Sequence, residues 1–217
     1  MFIELVDVLR CPRDHEDSWL VLGADRIVER HVTSGVLGCP VCRAQYRIEN
    51  GVADLRLRPG GAPRHRAPAA EPGDPAAVEE AMRLAAFLNL TDGGGLAVLV
   101  GGWTRHANGV GALTDAPLLL VNPVAQAEIG HGASGLLADD VLPLAPASVR
   151  GIALDAGAGA AFVVRAVRAV RPRGRVLAPA SVPVPEGVTE LARDAAVWVA
   201  ERNADAGPLI GLARAGR

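Results

Sequence analysis

All three cysteines of the chain fall in two short knuckles near its start, Cys11-Pro12-Arg13-Asp14 and Cys39-Pro40-Val41-Cys42. Nothing else in the sequence constrains the fold as tightly. Two loops that each present side chains at i and i+3 can surround a tetrahedral zinc ion. Thiolates bring the charge and softness that suit zinc, and the proline in each knuckle restricts the backbone so that the side chains turn inward. The fourth corner carries Asp14 where a cysteine is expected, and His15 beside it is an alternative donor. The spacing therefore predicts a structural zinc site made of Cys11, Asp14, Cys39 and Cys42, or one closed by His15. A site filled in this way supports a fold and leaves no open position for catalysis. The competing reading, three small buried thiols in a reducing compartment, is disfavoured by their grouping with prolines.

With 217 residues the chain has room for one ordinary domain and a small one. Half of it is hydrophobic but only 3% aromatic, so the core is expected to be aliphatic. The net charge of -2 shows no global bias toward nucleic acid or membrane, and every basic residue is arginine. The start, Met1-Phe2-Ile3-Glu4-Leu5, lacks a basic segment, so no secretory signal is expected. No apolar run reaches the ~18–20 residues of a membrane span. Three cysteines, two of them in a Cys-Pro-x-Cys knuckle, fit a reducing, cytoplasmic setting.

Residues 1–57 form a first unit. Phe2, Leu5, Val6 and Leu9 have the spacing of a short helix leading into Cys11. Arg26–Arg30, Gln45–Ile48 and Val52–Leu57 read as strands, the last two joined by an Asn50-Gly51 turn. A unit of fewer than ~70 residues rarely folds on its core alone. Zinc binding, worth ~10–16 kcal/mol in comparable small sites, would remove that difficulty.

The runs Leu5-Val6-Asp7-Val8-Leu9-Arg10-Cys11-Pro12, Leu37-Gly38-Cys39-Pro40-Val41-Cys42 and Tyr46-Arg47-Ile48-Glu49-Asn50-Gly51-Val52-Ala53 together resemble one family. It is that of the small zinc-ribbon proteins whose best-known members bind and activate tRNA, ribosomal and release-factor methyltransferases. The resemblance covers about the first quarter of the chain. Members of that family often lose a cysteine, so Asp14 is a tolerated departure. It implies a structural zinc and a protein partner, a methyltransferase among the candidates.

Residues 58–76 are rich in proline and glycine and read as a linker, leaving two units free to move independently. On that reading, Cys39→Ser unfolds the ribbon and spares the rest. Residues 77–217 form the second unit. A helix is predicted from Asp74-Pro75, with Val78, Met82, Ala85, Ala86 and Leu90 on its apolar face. Strands are expected at Leu96–Val100, Leu118–Val121, Ser148–Leu154 and Arg175–Ala178, with helices at Gly159–Val170 and Glu186–Asp194. Ala196–Glu201 and Leu209–Ala213 are expected to pair as a closing hairpin. Alternating strands and helices predict an α/β fold, a doubly wound, mostly parallel sheet with an antiparallel edge.

The phrases Asp139-Asp140-Val141-Leu142-Pro143-Leu144, Ser148–Leu154 and Val170-Arg171-Pro172-Arg173-Gly174-Arg175-Val176-Leu177 resemble the second half of a class I S-adenosylmethionine-dependent methyltransferase. That resemblance implies a cofactor site after the first strand, built here from Gly101, Gly102, Asn122, Asp139 and Asp140. The residues depart from the family there. Leu99 stands in place of an acid, Trp103 and Arg105 in place of glycines, and Asn122 in place of the ribose-binding carboxylate. An indole at Trp103 is expected to obstruct the usual pose, so S-adenosylmethionine binding is expected to be degraded.

The better glycine pattern, Asp155-Ala156-Gly157-Ala158-Gly159, comes after the fourth strand, which favours a tight strand-to-helix turn. His106 and His131 read as loop residues, with no catalytic residue among the candidates. Arg165, Arg168, Arg171, Arg173 and Arg175 form a basic stripe that either meets RNA phosphates or is the solvated face of a helix. The sequence thus favours a binding or regulatory protein with degraded cofactor chemistry over an active methyltransferase.

Overall fold

A computed structural model describes residues 1–58, 75–91, 94–124, 127, 129–130 and 132–204. The first unit contains β1 (Val21–Val28), β2 (His31–Gly38), β3 (Gln45–Glu49) and β4 (Val52–Asp54). The second contains α1 (Pro75–Phe87), β5 (Ala97–Val100), α2 (Ala107–Gly111), β6 (Leu118–Val121), β7 (Ala133–Leu137) and β8 (Val149–Ala153). It ends with α3 (Ala160–Ala169), β9 (Val170–Pro179), β10 (Val188–Arg193) and β11 (Val197–Arg202). Short 3-10 turns occupy Ile3–Asp7 and Gly101–His106.

The strands form one mixed sheet in the order β1-β2-β3-β4-β7-β6-β5-β8-β9-β11-β10. From β7 to β9 neighbouring strands run parallel, and β11 enters antiparallel between β9 and β10. This is an α/β fold, with the reversed hairpin at one edge. Its central strands are apolar on both faces, as parallel strands require. Ala97 and Leu99 of β5 and Leu118 and Leu120 of β6 face a core shared with Leu84, Leu88 and Val110. Val98, Val100, Leu119 and Val121 face the other way, into a core shared with Phe162, Val163 and Ala166 of α3.

That second core also contains Met1, Leu5, Leu9, Leu37 and Ile48. The first unit is therefore not a body on a tether. Asn50 and Gly51, at φ 50° and 79°, make the tight turn that the sequence predicted, and β4 leaves it to pair in parallel with β7. At the junction Val52 lies opposite Gly135, where an added Cβ would come within 2.8 Å of a Val52 methyl. Further bonds join the units: Phe2 N–H to Ser134 Oγ at 2.8 Å, Arg10 N–H to the Pro143 carbonyl at 2.9 Å and Ala145 N–H to the Val8 carbonyl at 2.8 Å. Among the described residues no helix bridges β6 and β7 or β7 and β8. The first unit supplies apolar cover on the face those crossovers leave open.

Several local expectations change. Within Glu186–Asp194, expected as a helix, Val188–Arg193 form the strand β10, because β11 offers them a ladder. Ala196–Glu201 pairs with β9 and β10, while Leu209–Ala213 lies outside the described residues, as do most of the linker and His131. The inward face of α1 is Ala81, Leu84 and Ala85; Val78 and Met82 are exposed. Close packing on α2 sets that rotation, with Ala81 against Gly109. The arginine stripe is not one helix face either. Arg165 and Arg168 lie on α3, whereas Arg171, Arg173 and Arg175 lie on β9, and Arg175 pairs with Glu201.

Candidate functional site

The two knuckles meet. Ligand atoms of Cys11, His15, Cys39 and Cys42 all lie within 4.8 Å of one another. Cys11 Sγ is 3.7 Å from Cys42 Sγ, and Cys39 Sγ is 3.5 Å from His15 Nε2. A zinc tetrahedron with Zn–S near 2.3 Å and Zn–N near 2.0 Å has S–S edges of about 3.8 Å and S–N edges of about 3.5 Å. The donor set fits the ion. His15 Nδ1 lies 2.6 Å from the Glu16 carbonyl, which can only accept, and Nε2 is the ring nitrogen turned toward the thiols. Asp14 is exposed and stands outside the group, so of the two candidates for the fourth corner the geometry selects His15.

The local electrostatics favour thiolates. Burial opposes the Cys39 thiolate, but the N–H groups of Cys42 and Val41 and the neighbouring thiols outweigh it and bring its pKa down to about 6. Burial pushes the Cys11 thiol up. Burial and the neighbouring Cys11 also raise the Tyr46 phenol, whose oxygen lies 3.3 Å from Cys11 Sγ. Metal binding would displace the Cys11 proton, because the bound ligand is the thiolate.

A second site lies where a doubly wound sheet places its ligands, beyond the carboxyl ends of the strands. A cavity of about 300 Å³ is lined by Val100, Asn122, Asp139, Asp140, Asp155 and the turn from Gly157 to Phe162. Three of the five predicted cofactor residues thus converge on one space. Gly101 and Gly102 do not line it, and the glycine pattern 155–159 does.

The groups a cofactor would need are engaged within the protein. Asn122 sits at φ 50°, a left-handed position that asparagine tolerates. Its Nδ2 donates to the Ala138 carbonyl at 3.0 Å, and its Oδ1 accepts from the Ala138 N–H at 3.0 Å. The side chain so extends the β6–β7 ladder by one backbone-like pair, which an aspartate, lacking the donor, cannot do. Gly102 N–H donates to Asp155 Oδ2 at 2.8 Å, so a carboxylate of the protein occupies the loop amide. Asp139 Oδ2 accepts from Leu57 N–H at 2.8 Å.

Trp103 does not block the cavity. Its Nε1–H donates to the Leu154 carbonyl at 3.1 Å, and the indole lines a neighbouring hollow with Pro179 and Val197. The expected steric obstruction is replaced by internal hydrogen bonding. These residues do not fit S-adenosylmethionine as the family resemblance implies it.

His106 is buried and donates nothing to either site. Its Nε2 accepts from Arg105 Nε–H at 2.9 Å, and burial with the Arg105 charge lowers its pKa. Sequence reasoning missed Asp155 as a partner of Gly102; its place as the last acid before a glycine turn was the available signal.

Fold and sites together define a mixed α/β protein carrying a Cys3His group able to hold a metal. No protein-family profile and no curated protein matches the chain. Among solved structures it is similar to the N-methyltransferase NodS from Bradyrhizobium japonicum at 14% identity and TM-score 0.40, covering 60% of this chain and 98% of that one. It is similar to the cyclase SpnF at 16% identity and TM-score 0.41, covering 53% of this chain and 50% of that one. A complex of the Haloferax volcanii Trm112 methyltransferase activator matches at 15% identity and TM-score 0.35, covering 48% of this chain and 57% of that one. The chain thus spans about half the length of two of these chains. Likenesses at this level concern the fold alone. Among the described residues no helix is long and apolar enough to cross a membrane.

Proposed function

We propose that this protein is a zinc-bound scaffold that acts through its surfaces and performs no methyl transfer. The observation that carries this reading is the pairing of both amide atoms of Asn122, on the cavity wall, with the Ala138 backbone, which occupies the hydrogen-bonding group a cofactor would use there. In this reading the first unit is a zinc ribbon of the methyltransferase-activator kind joined to the domain it supports. It docks in cis by adding β4 to β7. Its partner is another protein, a methyltransferase first among candidates, and the protein is cytoplasmic. RNA is a weaker candidate, because the arginines are divided between α3 and β9.

One observation favours an active methyltransferase: the 300 Å³ cavity with Asp139 and Asp140 at its wall. Calorimetric titration of the metal-replete protein with S-adenosylmethionine and then S-adenosylhomocysteine separates the two. The scaffold reading expects no heat beyond dilution. Micromolar binding of either compound would overturn it and turn the search to substrates.

A further inference from the structure

The chain has a single tyrosine, and it stands beside the metal group. Tyr46 lies in β3 opposite Leu37 of β2, and the alternation along β3 turns its side chain into the core at 5% exposure. A phenol buried among aliphatic residues needs a hydrogen-bond partner. Its oxygen lies 3.3 Å from Cys11 Sγ, a ligand from the other knuckle. The Arg13 side chain also meets this hydroxyl, and a guanidinium can only donate. The Tyr46 oxygen thus accepts from Arg13, and its O–H is left for the sulfur.

The charge of the filled site gives that bond a purpose. Three thiolates and a neutral imidazole around a divalent zinc leave one net negative charge on the centre. A charge taken out of water is costly unless hydrogen bonds or an opposite charge offset it. A metal-bound thiolate carries no proton, so in the filled site the hydroxyl is the only possible donor between Tyr46 and Cys11. The order Arg13, Tyr46, Cys11 then brings a cation to the sulfur through two bonds, each polarising the next.

We propose that Arg13 and Tyr46 are positioning residues of the metal centre: the guanidinium donates to the phenol oxygen, and the phenol donates to the metal-bound Cys11 thiolate. This rests on the zinc reading of the Cys3His group.

The test uses the intact protein loaded with cobalt(II), whose thiolate-to-metal charge-transfer bands report the donor strength of the sulfurs. Tyr46→Phe keeps the ring in the core and removes the hydroxyl. It should move the charge-transfer band to longer wavelength and weaken zinc binding, read by competition with a chelating dye, about tenfold, the lower end of the range for groups around a metal's ligands. Arg13→Ala should move the band the same way by less, and should change nothing further in the Tyr46→Phe background, where the relay is already cut. A role confined to packing would shift the thermal melt and leave the band in place.

A parent protein without a tetrahedral cobalt spectrum would sink the zinc reading and the proposal together. A parent with that spectrum overturns the proposal alone if the Tyr46→Phe band does not move, or if Arg13→Ala acts equally in both backgrounds. Arg13 is exposed, so its variant does not depend on the core. Should Tyr46→Phe fail to fold, an Arg13→Ala band identical to the parent's decides against the relay.

Discussion

The metal centre and the strand-end cavity fail the family patterns in opposite ways. At the knuckles a ligand is missing from the motif, yet folding supplies one: His15 stands with its Nε2 3.5 Å from Cys39 Sγ. At the strand ends some polar groups remain, and folding gives them partners within the protein. Asn122 bonds to Ala138, Gly102 to Asp155 and Asp139 to Leu57. A metal site needs only four donor atoms at tetrahedral separations, so a neighbour in sequence can replace a lost ligand. A cofactor site needs groups left unsatisfied until the ligand arrives, and internal partners remove that property.

The contrast between the two sites is broken first, and with the largest effect, at the metal. If the first unit is built into the sheet through β4 and the shared core, chelating the metal or changing Cys39→Ser destabilises the whole described fold. Removal of a structural zinc of this class costs about 10 kcal/mol or more of binding energy, so one cooperative melt should move down or vanish. Thermal unfolding followed by circular dichroism reads it. A second domain that melts unchanged after zinc loss would restore two independent units.

A smaller effect sharpens the ligand assignment. His15→Ala should weaken zinc binding by more than the ~10–100-fold typical of changes around a metal's ligands, while Asp14→Ala leaves it within error. Competition against a zinc-binding dye measures both. The reverse order would return Asp14 to the fourth corner.

The smallest effect tests the other site. Asn122→Asp restores a carboxylate near the cavity but removes the donor to the Ala138 carbonyl, at a cost of about 1–3 kcal/mol. Denaturant midpoints should fall accordingly, and S-adenosylmethionine should still not bind, since Asp155 continues to hold Gly102. A variant that keeps full stability and gains micromolar binding would show that the asparagine was not holding the site closed.

Much of the secondary structure was legible because apolar runs bounded by turns admit few alternatives. Leu118–Val121 matches β6, and Gln45–Ile48 lies within β3. The strands that sequence reasoning missed lack such patterns. Ala133-Ser134-Gly135 in β7 has no β-branched residue and is held as a strand by parallel partners on both sides. β2 is broken by Ser34 and Gly35, and its state comes from pairing with β1 and β3. β10 carries a helix-compatible composition, Thr189-Glu190-Leu191-Ala192-Arg193, and only the ladder with β11 makes it extended.

The chain's own order of residues thus settled what is local: the paired knuckles, the Asn50-Gly51 turn, the aliphatic central strands and the loss of the acidic and glycine positions around Leu99 to Arg105. Long-range contacts settled the rest. Which neighbour of Cys11 faces the thiols, whether Asn122 points to a ligand or to Ala138, and whether the first unit floats or joins the sheet all depend on partners more than ten residues away. Spacing along a chain fixes which atoms can meet within a turn, but only the packed fold decides which donor each distant acceptor receives.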